Sequence, residues 1–230
     1  MEFDSEFWAA ISGAILGGLI ATGMQLLTLV MTAKQRAQTE LTLRQGLARS
    51  LLFKVVKVFS DFKVLNNHAI ECNQRAIEHK DAFSWKWFSP LANLPRPVIF
   101  TAEEMGTLLA CKDNDLFNEV AALDDIHNGL IQSLELYRAR RAALSDELPA
   151  RMQGMVGTIE IDEATCHRIG PRVAELEQLT QELAYSFRQN ADPSFSVAAR
   201  LTAAFDRTYK LGISITPIAP PGSPTPPNND

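Results

Sequence analysis

Between Phe7 and Ala33 the chain reads FWAAISGAILGGLIATGMQLLTLVMTA and carries no charged side chain. A helix needs about 20 apolar residues to cross the hydrocarbon core of a bilayer. The stretch is therefore long enough to span. It is too long for the apolar core of a secretory leader, and the residues before it (Glu2, Asp4, Glu6) are acidic where a leader is basic. The expectation is a single N-terminal transmembrane helix over residues 7–33 behind a short acidic tail over residues 1–6.

Charge sets the expected orientation. No Lys or Arg precedes the stretch, whereas Lys34, Arg36, Arg44 and Arg49 follow it closely. Positive residues near a membrane helix favour the cytoplasmic side. The acidic tail is expected outside the cell (inner) membrane and the rest of the chain in the cytoplasm. Trp8 suits the outer interface as an anchor.

Within the apolar stretch Ala9, Gly13, Gly17 and Ala21 recur every fourth residue, and Gly18 lies in a parallel row with Ala10, Ala14 and Thr22. Small residues at that spacing let two helix backbones approach closely in lipid. The lipid bilayer and a second copy of the chain are thus the first expected partners. Gln25 is the one strongly polar side chain inside the stretch.

Beyond Ala33 the pattern is helical. No proline occurs before Pro90, and apolar residues at Leu47, Leu51, Val55, Val58, Phe62, Leu65, Ala69, Cys72 and Ala76 step by three and four. That spacing predicts one long helix over about 34–83, continuing from the membrane, with Gly46 as a weak point. Pro90, Pro95 and Pro97 enforce an extended connector. Thr101 with Glu104 forms a capping box that opens a short helix over about 101–111.

A second strict 4–3 series runs Leu116, Val120, Leu123, His127, Leu130, Leu134, Tyr137, Arg141, Leu144 and Leu148, giving a helix over about 113–148. His127 and Arg141 are polar residues in that apolar seam. They read as rim positions or as hydrogen-bonded groups inside the bundle, and otherwise as residues that fix register or mark a partner-binding seam.

Pro171 opens a helix over about 171–190. Asp192–Pro193 is expected to break it, with a last helix over about 194–211. IEID at Ile159–Asp162 alternates but is too short for a sheet. After Gly212 the Pro-rich segment to Asp230 reads as a disordered tail over 212–230. The fold class is all-α: an antiparallel, coiled-coil-like helical bundle over 34–211 behind the membrane helix.

Several functions are excluded or unsupported. The net charge of −5 argues against a nucleic-acid binder. Three scattered cysteines (Cys72, Cys111, Cys166) make neither a disulfide framework nor a zinc motif. His68, Cys72 and His79 share a helix stripe, but metal sites need three or four converging ligands. No phosphate-binding loop or nucleophile elbow occurs. The reading is of no enzyme, no metal and no cofactor.

The aromatic run Phe83, Trp85, Trp87, Phe88 packs as a bundle end-plug or forms a surface for an unknown protein partner, with Trp85, Trp87 and Phe88 its candidate residues. The function expected is a membrane-tethered, self-associating scaffold or regulatory protein. The alternative is an effector that perturbs or permeabilises the inner membrane when it oligomerises.

Overall fold

The computed structural model describes the backbone of residues 5–81, 83–91, 93–148 and 162–215, and their side chains from residue 17 onward, Ile20 excepted. Every regular element among them is helical: α1 (Ser5–Glu78), a single 3-10 turn (Ser84–Lys86), α2 (Ala102–Leu109), α3 (Asn114–Glu147) and α4 (Glu163–Tyr209). The chain divides into two units, Met1–Gly46 and Leu47–Asp230. Most of IEID and, from residue 216, the Pro-rich tail lie outside the described residues.

The second unit is a helical bundle around one core. From α1 come Leu51, Val55, Val58, Phe62 and Leu65, from α3 Leu116, Val120 and Leu134, and from α4 Leu176, Leu183, Phe187, Leu201 and Phe205. The apolar 4–3 series of the sequence is the buried face of each helix. A helix that buries one stripe against two neighbours gains about 1.5–3 kcal/mol for each large side chain fully removed from water.

Each helix end has a local cause. Thr101 accepts from the Glu104 N–H while Glu104 accepts from the Thr101 N–H, completing the capping box of α2. Asp113 caps α3 through the Leu116 N–H, and Asp162 caps α4 through the Thr165 N–H. α1 ends at Glu78, short of residue 83, because Lys80 turns left-handed (φ 52°). The Lys80 and Asp81 N–H groups then bond back to the carbonyls of Ile77 and Ala76, the paired closure common at helix C-termini.

Two expectations about connectivity need correction. Asp192–Pro193 does not break the last helix: α4 is continuous from Glu163 to Tyr209 with Pro171 and Pro193 inside it. An internal proline costs about 3 kcal/mol. The buried run Leu183, Phe187, Ala191, Ser194, Val197 and Ala198 crosses the proline without interruption, and that burial outweighs the lost hydrogen bond. Pro193→Ala is therefore expected to stabilise the fold by about 2 kcal/mol, the helix gain less the lost restriction of the unfolded chain, measured by urea unfolding.

The bundle is also not antiparallel throughout. α3 and α4 do run antiparallel, since Glu119 pairs with Arg200, Arg140 with Glu175, and Glu147 with Arg168 and Arg172. α1 and α3 run parallel: Lys54 reaches Glu104 just before α3, Asp61 meets His127, and the Phe88 ring joins His68 of α1 to Tyr137 of α3. The Pro-rich connector makes this possible. Returning from His79 to the level of Lys54 covers about 38 Å of helix at 1.5 Å per residue. Thirteen extended residues from Phe88 to Thr101 reach about 43 Å. Asn128 holds the connector by accepting from the Val98 N–H (3.1 Å) and donating to the Val98 carbonyl (2.8 Å).

Candidate functional site

The aromatic turn sits where the connector leaves α1, and polar groups of α3 and α4 fasten it. Glu177 of α4 accepts from the Ser84 hydroxyl (2.6 Å) and the Trp85 N–H (3.1 Å). Arg141 of α3 donates from Nη1 to the carbonyls of Trp85 (2.5 Å) and Phe88 (2.8 Å) and to the Tyr137 hydroxyl (2.8 Å), while Nη2 reaches the Lys86 carbonyl (3.4 Å). Tyr137 donates in turn to the Phe88 carbonyl at 2.6 Å. Burial pushes the Tyr137 hydroxyl pKa up despite the guanidinium beside it.

Arg141 thus belongs to the α3 seam for a stated reason: its guanidinium replaces the helix donors that a one-turn helix cannot supply to its last carbonyls. Arg138, Arg140 and Arg141 do not share one solvated face. Arg141 turns inward, while Arg140 pairs with Glu175 at 3.1 Å.

The rings of the turn divide between two roles. Phe88 is 2% exposed and stands edge-on to both His68 and Tyr137 at 5.2 Å. It is a core plug, not part of a partner surface, because its ring fills the space between α1 and α3. Trp87 stacks on His79 with centroids 4.3 Å apart, and Trp85 lies under the Arg141 guanidinium at 5.6 Å. Both indoles are half-buried, and among the described residues the Trp85 Nε1 atom is buried without a hydrogen-bond partner. Only Phe83 of the run is well exposed, with Lys86 over its ring.

The other polar seam residue is paired as well. His127 is 1% exposed, and its Nε2 lies 3.1 Å from Asp61 Oδ2; Lys57 binds the same carboxylate at 2.9 Å. Among the described residues His127 Nδ1 is buried without a partner. Burial pushes the Asp61 carboxyl up, but hydrogen bonds from His127 and Lys57 outweigh it and hold its pKa below the usual carboxylate range. A carboxylate with a depressed folded pKa stabilises the fold fully above its unfolded pKa and loses that contribution as the pH falls through the folded value. Asp61→Asn is expected to flatten the loss of stability below about pH 4, followed by circular dichroism across an acid titration.

Cys72 and His68 form a third polar pair, with Sγ 3.6 Å from Nε2, which also contacts the Ser89 carbonyl at 3.0 Å. The bond to the thiol raises the His68 pKa against the effect of burial. Burial raises the Cys72 thiol, and the imidazole, the Ser89 backbone and Arg75 together bring it below its ordinary value. His79 is not part of this pair, since its ring is committed to Trp87. Among the described residues no group of three His, Cys, Asp or Glu side chains converges to hold a metal. An open hollow of about 690 Å³ beside Asp113 and Arg207 mixes both signs of charge without a converging set.

In the first unit, Gly17, Gly18 and Ala21 are exposed; the side chains of Ala9 and Gly13 lie outside the described residues. Leu19, Met24, Leu26, Leu27, Leu29, Val30 and Met31 are 53–68% exposed. Thr22, Thr28 and Thr32 donate to the carbonyls of Gly18, Met24 and Thr28 at 2.7–2.8 Å. Among the described residues no helix is long and apolar enough to cross a membrane; much of the apolar stretch over 7–33 falls on side chains outside that set.

Sequence periodicity locates Arg141 and His127 but not their partners. The i+4 spacing of Tyr137 and Arg141 was a usable sign of their pairing. Nothing in the sequence signals Glu177, Asn128 or Asp61, which act across the bundle. Comparison with protein families, curated proteins and solved structures finds no match for this chain.

Proposed function

We propose that this chain is a membrane-tethered, self-associating scaffold or regulatory protein that carries out no reaction of its own. The apolar segment of α1 spans the inner membrane, and the bundle lies on the cytoplasmic side. One observation carries the reading: among the described residues from Leu19 to Met31, the large apolar side chains stand more than half exposed. An apolar helix surface of this extent is normally buried in protein or lipid.

Two further features support lipid as the cover. The threonine hydroxyls in the segment bond to their own helix, so they need no water. Lys34 and Arg36 follow at the point where headgroups would begin.

The test is fractionation of the full chain expressed in cells. It is expected to stay in the membrane pellet through alkaline carbonate, with the bundle digested by protease only in inverted vesicles. A Leu27→Arg, Val30→Arg double variant places two cations in the hydrocarbon core at about 2.5–3.5 kcal/mol each and is expected to move the protein to the soluble fraction or abolish its accumulation. Recovery of the unaltered chain in the supernatant would refute the tether.

A further inference from the structure

Gly18, Ala21, Gln25, Thr28, Thr32, Gln35, Thr39, Thr42 and Gly46 follow the 3–4 alternation of a heptad seam without a break. None of the nine is charged and none is a large apolar residue. The charged residues of the same stretch (Lys34, Arg36, Glu40 and Arg44) all fall off the seam, and so do Leu26, Leu27, Leu29 and Val30.

Among the described residues nothing makes use of the composition of this seam. Gly18 and Gly46 are helical, where glycine costs about 1 kcal/mol relative to alanine, yet a Cβ at either would meet nothing within 4 Å. The hydroxyls of Thr28, Thr32, Thr39 and Thr42 turn back to the carbonyls of Met24, Thr28, Gln35 and Gln38. That leaves a narrow face whose hydroxyl hydrogens are already satisfied. The amides of Gln25 and Gln35 remain on it as groups that both donate and accept.

We propose that this face pairs in parallel with the same face of a second copy, Gln25 meeting Gln25 and Gln35 meeting Gln35 across the twofold axis. The occupant is a second copy because the seam is complementary to itself. In a parallel pair each heptad position meets its own counterpart, an amide can donate to and accept from an identical amide, and no like charges are brought together. The absence of bulk at Gly18, Ala21 and Gly46 permits close backbone approach, and hydrogen bonds between the Gln25 side-chain amides supply an attraction that apolar surface cannot supply in lipid. The proposal rests on the membrane reading and fixes which face associates, in which orientation and through which groups.

The experiment is oxidative cross-linking in native membranes of the full chain carrying one added cysteine at position 25, 28, 32, 27 or 30, against the unaltered chain as baseline. Disulfide-linked dimers are expected at 25, 28 and 32 and at baseline level for 27 and 30. Gln25→Leu is expected to weaken association about threefold to tenfold, and Gln25→Asn to retain it. Equal cross-linking at all five positions, the reverse pattern, or none above baseline overturns the proposal. Carbonate extraction of the same membranes separates the two failures. Protein retained in the pellet with a flat cross-linking pattern rejects the seam alone, whereas protein released from the pellet rejects the tether beneath it.

Discussion

Phe62→Ala should lower the thermal unfolding midpoint of the protein by roughly 6–20 °C. Phe62 is 0% exposed at the centre of the second unit, with its ring edge-on to His127 at 5.8 Å. Deleting a buried phenyl ring costs about 3–5 kcal/mol, transfer and cavity terms together, and each kcal/mol moves the midpoint by about 2–4 °C in a domain of this size. The cavity would also open beside the buried His127–Asp61 pair, where water can enter because polar atoms line it. Calorimetry measures the shift. A change below about 3 °C would mean that α1, α3 and α4 do not close-pack around this ring.

Arg141→Leu should cost about 2–3 kcal/mol while leaving helix content nearly unchanged. The leucine keeps most of the apolar stem but strips the donors from the Trp85, Lys86 and Phe88 carbonyls and from the Tyr137 hydroxyl. Hydrogen bonds to a charged donor are worth about 1.5–3 kcal/mol net. The Phe88 carbonyl retains Tyr137, which moderates the loss.

The damage is expected to be local. Amide hydrogen exchange over residues 83–88 should quicken far more than over α3 or α4, and tryptophan emission should move to the red as Trp85 and Trp87 gain water. Arg141→Lys should not restore the wild-type values, because an ammonium cannot serve several carbonyls from one plane. Combining Arg141→Leu with Tyr137→Phe should cost less than the sum of the two, since both side chains bind the same carbonyl. Uniform quickening of exchange across the bundle would show that Arg141 supports the whole fold rather than the turn.

What was legible in the sequence is what a single helix decides for itself. Leu51, Val55, Val58 and Phe62 announce a buried stripe because a helix returns to the same face every three or four residues. Thr101 and Glu104 announce a helix start because both halves of the capping box are local. The apolar composition from Leu19 to Met31 is legible for the same reason, because it is a property of one stretch of chain.

Tertiary structure decided everything that passes between helices. Pro193 looked like a breaker, and burial of Ala191, Ser194 and Ala198 on either side overrode it. Alternation of helices and loops suggested antiparallel neighbours, but a connector long enough to travel back along α1 made α1 and α3 parallel. The aromatic run left both core plug and partner surface open for Phe88, and His68 and Tyr137 closing on its ring put it in the core. Periodicity reports which face of a helix is apolar; which neighbour covers that face, and which carbonyl a seam arginine finds there, are fixed only when distant segments meet in space.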